Sequence, residues 1–126
     1  MSAEEMVEKL RRTDIVLATS GSGLSISVLL LPNSGVVEVM PENYRSSLYQ
    51  KMAGDFGLYY LAHTNFTGDA WNNGECAYTE EMEDIRELPK TCREDLEKGV
   101  VYVHPITLWM MLVDMSKAVS HNKYNV

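Results

Sequence analysis

The stretch from Asp14 to Pro41, DIVLATSGSGLSISVLLLPNSGVVEVMP, constrains the fold more than any other. Ile15, Val16 and Leu17 stand together in a short apolar run. A run of this kind suits a strand buried on both faces, as parallel strands usually are. Thr19-Ser20-Gly21-Ser22-Gly23 follows as a tight turn of small residues. Leu24 to Leu31 is apolar and unbroken until Pro32, and reads as a short helix. Asn33-Ser34-Gly35 makes a turn, and Val36 to Met40 is a second apolar run ended by Pro41. Strand, Gly-Ser loop, helix, turn and strand make one βαβ unit with a right-handed crossover.

The loop carries the chemistry. Gly21 and Gly23 permit backbone conformations that a Cβ would block. The amides of Ser22, Gly23, Leu24 and Ser25 would then stand at a helix N-terminus, where free donors and the helix dipole favour an anion such as phosphate. Ser20, Ser22 and Ser25 add hydroxyls. The same pattern also fits a plain strand-to-helix turn capped by serine.

The rest of the chain extends the pattern. Ser2 and Glu5 form a capping box ahead of a helix that places Met6, Val7 and Leu10 on one face, with Arg11 and Arg12 at its end. A helix leading straight into a buried parallel strand normally returns from an earlier strand, so the chain reads as the second half of a larger sheet. Asn43 can cap a helix over Tyr44 to Asp55, with Tyr44, Leu48, Met52 and Phe56 as its buried stripe and Gly54 and Gly57 at its end. Leu58 to His63 reads as a third strand. Thr64 to Gly99 is acidic, poor in branched aliphatics and too long for an ordinary connection. It reads as an excursion with one short helix near Glu80 to Glu87, tacked down by Trp71, Tyr78 and Ile85. Val100 to Val103 is β-prone. Pro105 suits the first position of a closing helix over residues 105–119, apolar nearly all round its first two turns and so buried or at an interface. The tail from His121 reads as frayed. The expected fold class is thus α/β: half of a Rossmann-like, doubly wound parallel sheet, about three strands with flanking helices, in a single domain over residues 1–126.

Composition excludes several functions. At 126 residues the chain can bury a real core. A net charge of -7 disfavours nucleic acid and anionic membrane as partners. No apolar run is long enough to cross a bilayer, and the first residues, MSAEEMVEKLRR, lack the apolar core of a signal peptide. Metal is not expected: no His or Cys pair has ligand spacing, and the acidic residues after Thr79 lack a calcium-loop pattern. Cys76 and Cys92 flank the acidic segment and either close a loop or stay as thiols. Asn65-Phe66-Thr67 is a glycosylation sequon, or a chance triplet. His63 at a strand end either faces a crevice or is structural, and His104 before Pro105 reads as structural. No residue stands out as a general base.

Residues 2–63 resemble the C-terminal nucleotide-binding half of family 61 glycosyltransferases. The residues that carry the likeness are Ser20-Gly21-Ser22-Gly23-Leu24-Ser25, then Leu29-Leu30-Leu31-Pro32-Asn33-Ser34-Gly35, then Val36-Val37-Glu38-Val39-Met40-Pro41, and more loosely Gly57-Leu58-Tyr59-Tyr60. The resemblance implies the two-lobed GT-B architecture and an inverting transfer of sugar to protein or polysaccharide. It implies a nucleotide diphosphate sugar (UDP-sugar) as donor, its diphosphate on the Ser20–Ser25 loop. Glu38 stands at a strand end where it could take ribose hydroxyls; otherwise it is an acid satisfied by its neighbours. Ser20 replaces the histidine usual in the family's loop. The resemblance further implies a secretory compartment and an additional N-terminal lobe. A non-catalytic interaction or oligomerisation module is the alternative. In either case the Ile15 strand would offer an open edge. That predicts a homodimer or partner chain there or on the Leu108 to Met115 face.

Overall fold

The computed structural model of the chain describes residues 2–65, 84–99 and 101–124. The elements run α1 (Ala3–Arg11), β1 (Ile15–Thr19), a first 3-10 helix (Ser22–Leu29), β2 (Gly35–Val39), α2 (Leu48–Asp55), β3 (Tyr59–His63), a second 3-10 helix (Ile85–Glu87), α3 (Lys90–Glu97) and α4 (Pro105–Lys123). The strands form one parallel sheet in the order β1-β2-β3. The expected half of a Rossmann-like α/β sheet is therefore present, with its strands in sequential order.

Alternation along the strands splits the core in two. Val36 points to a face covered by α1, the first 3-10 helix and α2, where Leu10, Leu24, Leu30, Tyr49, Ala53 and Leu58 join it. Val37 points to the opposite face, where Met115 and Val119 of α4 pack with Ile15, Tyr59 and Leu61. β2 is buried along its whole length. β1 is not, contrary to the expectation for its apolar run: it lies at the edge, and Leu17 is 43 % exposed. A third cluster joins Ile85, Leu88, Cys92 and Leu96 with Tyr44.

Several elements depart from the expected pattern, each for a tertiary reason. The segment after the Gly-Ser loop is a 3-10 helix: Leu24 and Ser27 within it and Leu30 at its C-cap are buried at every third position, the period of that helix. Gly35 belongs to β2 rather than to the turn. A Cβ there would overlap the side chain of Met115, so its lack of one lets α4 lie against the strand. The backbone reversal falls on Asn33, at φ 69°. Asn43 sits in a left-handed turn at φ 59° and caps no helix. Residues 44–47 are not helical: the Arg45 carbonyl accepts from the Ile85 amide and the Ser47 amide donates to Asp84. α2 therefore starts at Leu48 and buries Tyr49 and Ala53, while Leu48 and Phe56 face solvent. The acidic excursion contains a whole helix, α3. Residues 101–104 form no strand. Trp71 and Tyr78 lie outside the described residues.

The tail is docked rather than frayed. Lys123 Nζ donates to Asp14 Oδ1 (3.0 Å), Ser34 Oγ (2.8 Å) and the Thr13 carbonyl (3.3 Å), which uses all three ammonium protons. Tyr124 Oη donates to Asp14 Oδ1 at 2.5 Å. These bonds, from Tyr124 first and then Lys123, hold the Asp14 carboxyl below the usual aspartate range.

Candidate functional site

The carboxyl ends of the strands meet at one edge of the sheet, the place where open parallel sheets bind ligands. The backbone ladder continues past them, from the Ser20 amide to the Val39 carbonyl (3.0 Å) and from the Met40 amide to the His63 carbonyl (3.0 Å). Ser20 is thus fixed directly above β1. Glu38, the next-to-last residue of β2, is flanked across the ladders by Ala18 and Ala62. Two small neighbours leave its long side chain room within the layer.

Glu38 is fully buried. Its Oε2 accepts from Ser20 Oγ at 2.7 Å and its Oε1 from Tyr60 Oη at 2.5 Å. Among the described residues no ion pair includes it. A buried acid asks for donors, and here two hydroxyls from the flanking strands supply them. The carboxylate therefore does not open onto a crevice, and the ribose contact implied by the resemblance has no exposed oxygen in this structure. The Tyr60 hydroxyl is pushed far up, by burial and then by its bond to Glu38, so it stays protonated as a donor. Tyr44 is pushed up to about 12, mainly by burial, with Glu97 and Glu38 adding to it.

Gly21 begins the exposed part of the site. Its backbone stands at φ 150° and ψ -178°, a region that only glycine occupies readily. Its carbonyl accepts twice, from Tyr49 Oη at 2.5 Å and from the Leu24 amide at 3.1 Å. Burial, then Glu38, raises the Tyr49 hydroxyl, which keeps that donor protonated as well. The loop is held from below by α2 and from behind by β2. Among the residues singled out in the loop, Gly21 and Ser25 lie at the surface, Ser20 is half-buried, and Leu24 is fully buried. The Leu24 amide is spent on Gly21, which removes one of the four donors expected for an anion. Ser22 and Gly23 form the first turn of the 3-10 helix, ahead of that bond.

The other candidates are scattered. The Nδ1 of His63 is buried and has no hydrogen-bond partner among the described residues. His104 caps α4, its Nδ1 accepting from the Ile106 amide at 3.2 Å. Among the described residues no three metal-ligating side chains cluster. Among them, too, no helix is long and apolar enough to cross a membrane. Cys92 is disulfide-bonded. The chain's only other cysteine, Cys76, lies outside the described residues, as does the sequon beyond Asn65.

Tyr49 and Tyr60 are the site residues that sequence reasoning missed. Tyr60 follows from strand alternation, since it shares a face with Ala62 and, across the ladder, Glu38. Tyr49 follows from nothing local, because its role depends on where α2 begins. Fold and site together define an α/β domain of half-Rossmann type, with a glycine-turned loop above its first strand. Comparison with models of known protein families, with curated proteins and with solved structures returns no match.

Proposed function

We propose that this domain is the nucleotide-sugar-binding half of a glycosyltransferase of the family 61 kind, with the diphosphate on the loop from Ser20 to Ser25. One observation carries the reading. The loop leaves the carboxyl end of β1 through Gly21 in a glycine-only conformation, with its carbonyl pinned by Tyr49. A pinned turn of small residues at this end of a parallel sheet, with Gly21 and Ser25 at its surface, suits close approach of a phosphate to backbone. The disulfide at Cys92 supports an oxidising compartment, in keeping with a secretory glycosyltransferase. In this reading Glu38 positions Ser20 and the loop instead of touching ribose. The base that activates the acceptor comes from a second lobe, since none of the described histidines sits at the loop.

Calorimetric titration with uridine diphosphate and its sugars, with and without manganese, tests the proposal. Micromolar binding that Ser22→Asp abolishes, with the circular dichroism unchanged, is the expected result. Absence of heat at millimolar ligand would overturn it. That result would favour the non-catalytic module, a reading supported by the inward turn of the Ser20 hydroxyl onto a sealed acid.

A further inference from the structure

Among the described residues β1 presents a bare edge. Among the described residues it pairs with β2 alone. The Asp14 carbonyl accepts from the Gly35 amide (2.8 Å) and the Ser20 amide donates to the Val39 carbonyl (3.0 Å). Backbone groups alternate along a parallel strand, so even-numbered residues face β2. The N–H and C=O groups of Ile15, Leu17 and Thr19 therefore point outward. No charge, proline or bulge guards them, although such devices are how edges usually avoid pairing. α1 borders the same edge. Within its layer α1 packs on the first 3-10 helix, and α2 packs on that helix too, whereas α1 and α2 share at most a marginal contact. The order is thus α1, 3-10 helix, α2, and α1 lies on the β1 side. Ala3, Val7 and Arg11 form one stripe of α1, an open surface flanked by Glu4 and Glu8. The charges of α1 are segregated: Glu4 and Glu5 in its first turn, then Glu8, with Lys9, Arg11 and Arg12 at its end.

We propose that this edge binds a second copy of the chain, about a two-fold axis through Leu17 normal to the sheet. The two β1 strands then run antiparallel, with Leu17 opposite Leu17 of the partner subunit and Ile15 opposite Thr19 of the partner subunit. The outward-facing residues are 15, 17 and 19, so this register sets outward groups against outward groups at all three positions. Two three-stranded sheets become one of six strands. Rotation about an axis normal to the sheet keeps each face on its own side. The two α1 helices therefore meet across the seam, antiparallel, with the acidic half of each against the basic half of the other. That complementarity lets a chain of net charge -7 pair with itself. The pairing holds with or without a nucleotide on the loop.

Sedimentation velocity from micromolar to high concentration tests this. The expected result is a dimer that Leu17→Pro converts to monomer while circular dichroism and melting stay near wild type, because proline is tolerated where an edge N–H points outward. Should Leu17→Pro misfold, a charge swap decides. Glu4→Lys with Glu8→Lys, and separately Arg11→Glu with Arg12→Glu, each lower dimer affinity at least tenfold, and an equimolar mixture of the two variants restores the dimer. A wild-type monomer at the highest concentration would overturn the proposal, and would leave the edge to a strand of another polypeptide. A dimer indifferent to both sets of substitutions would overturn it too.

Discussion

Gly21 is the residue on which the loop turns. Its φ of 150° asks a Cβ to sit in a region that L-residues avoid, although no neighbouring atom stands in the way. Gly21→Ala should cost about 1–3 kcal/mol in denaturant unfolding, from the backbone alone. Glu38→Ala acts through polar satisfaction instead. It leaves the Ser20 and Tyr60 hydroxyls without their acceptor in a buried layer, and should cost about 1–3 kcal/mol by the same measurement. Acid titration reads two other carboxylates. Burial pushes the Asp84 carboxyl up, but bonds from the Arg86 amide and guanidinium and from the Ser47 amide outweigh it and hold the group below the usual range. Asp14 is lowered by Tyr124 and Lys123. A carboxyl lowered on folding stabilises above its unfolded value, about 3.9, and loses that stabilisation as pH falls through the folded one. Stability should therefore drop below about pH 4. In Asp84→Asn the drop should be shallower, which thermal melts across pH 2–5 would show.

At the scale of elements, α4 and β2 are matched through one missing atom. Gly35 makes room for Met115, and both are buried. Gly35→Ala overpacks this contact and should cost about 1–3 kcal/mol. Met115→Ala should recover part of that loss in the double variant, which a double-mutant cycle measures. α3 shows how composition can hide an element. Ile85, Leu88, Cys92 and Leu96 recur at three- and four-residue spacing and are all buried, a stripe that sequence reading passed over because its surroundings are acidic. α2 shows the reverse. The stripe of Tyr44, Leu48, Met52 and Phe56 has sound helical spacing, yet contacts from Asp84 and Ile85 hold residues 44–47 out of the helix and shift the buried face to Tyr49 and Ala53.

On the scale of the whole molecule, two ties join parts far apart in sequence. The end of α4 closes on the start of β1 through Lys123 and Tyr124. The α3 cluster, which holds the disulfide-bonded Cys92, packs against Tyr44. Reduction should lower chemical stability by about 2–4 kcal/mol, measured as a shift in the denaturant midpoint with and without reductant. Among the described residues the sheet has one well-covered face and a bare edge at β1. α4 lies mainly over β2 and β3, so Leu17 on β1 remains exposed.

The chain by itself determined the sheet. Three apolar runs bounded by Gly, Pro and Asn allow little but parallel strands joined by helices, and alternation within Val36 to Val39 assigns both faces. The Gly-Ser loop was equally legible, because small residues between a strand and an apolar run have few other uses. Tertiary structure alone decided what those residues do. Whether Glu38 meets a ligand or a hydroxyl depends on Ser20 and Tyr60, 18 and 22 residues away in sequence. Whether Gly35 turns the chain or admits a helix depends on Met115. Local pattern reports which backbone conformations a segment prefers, whereas burial and hydrogen-bond partners are set by segments that meet only once the chain has folded.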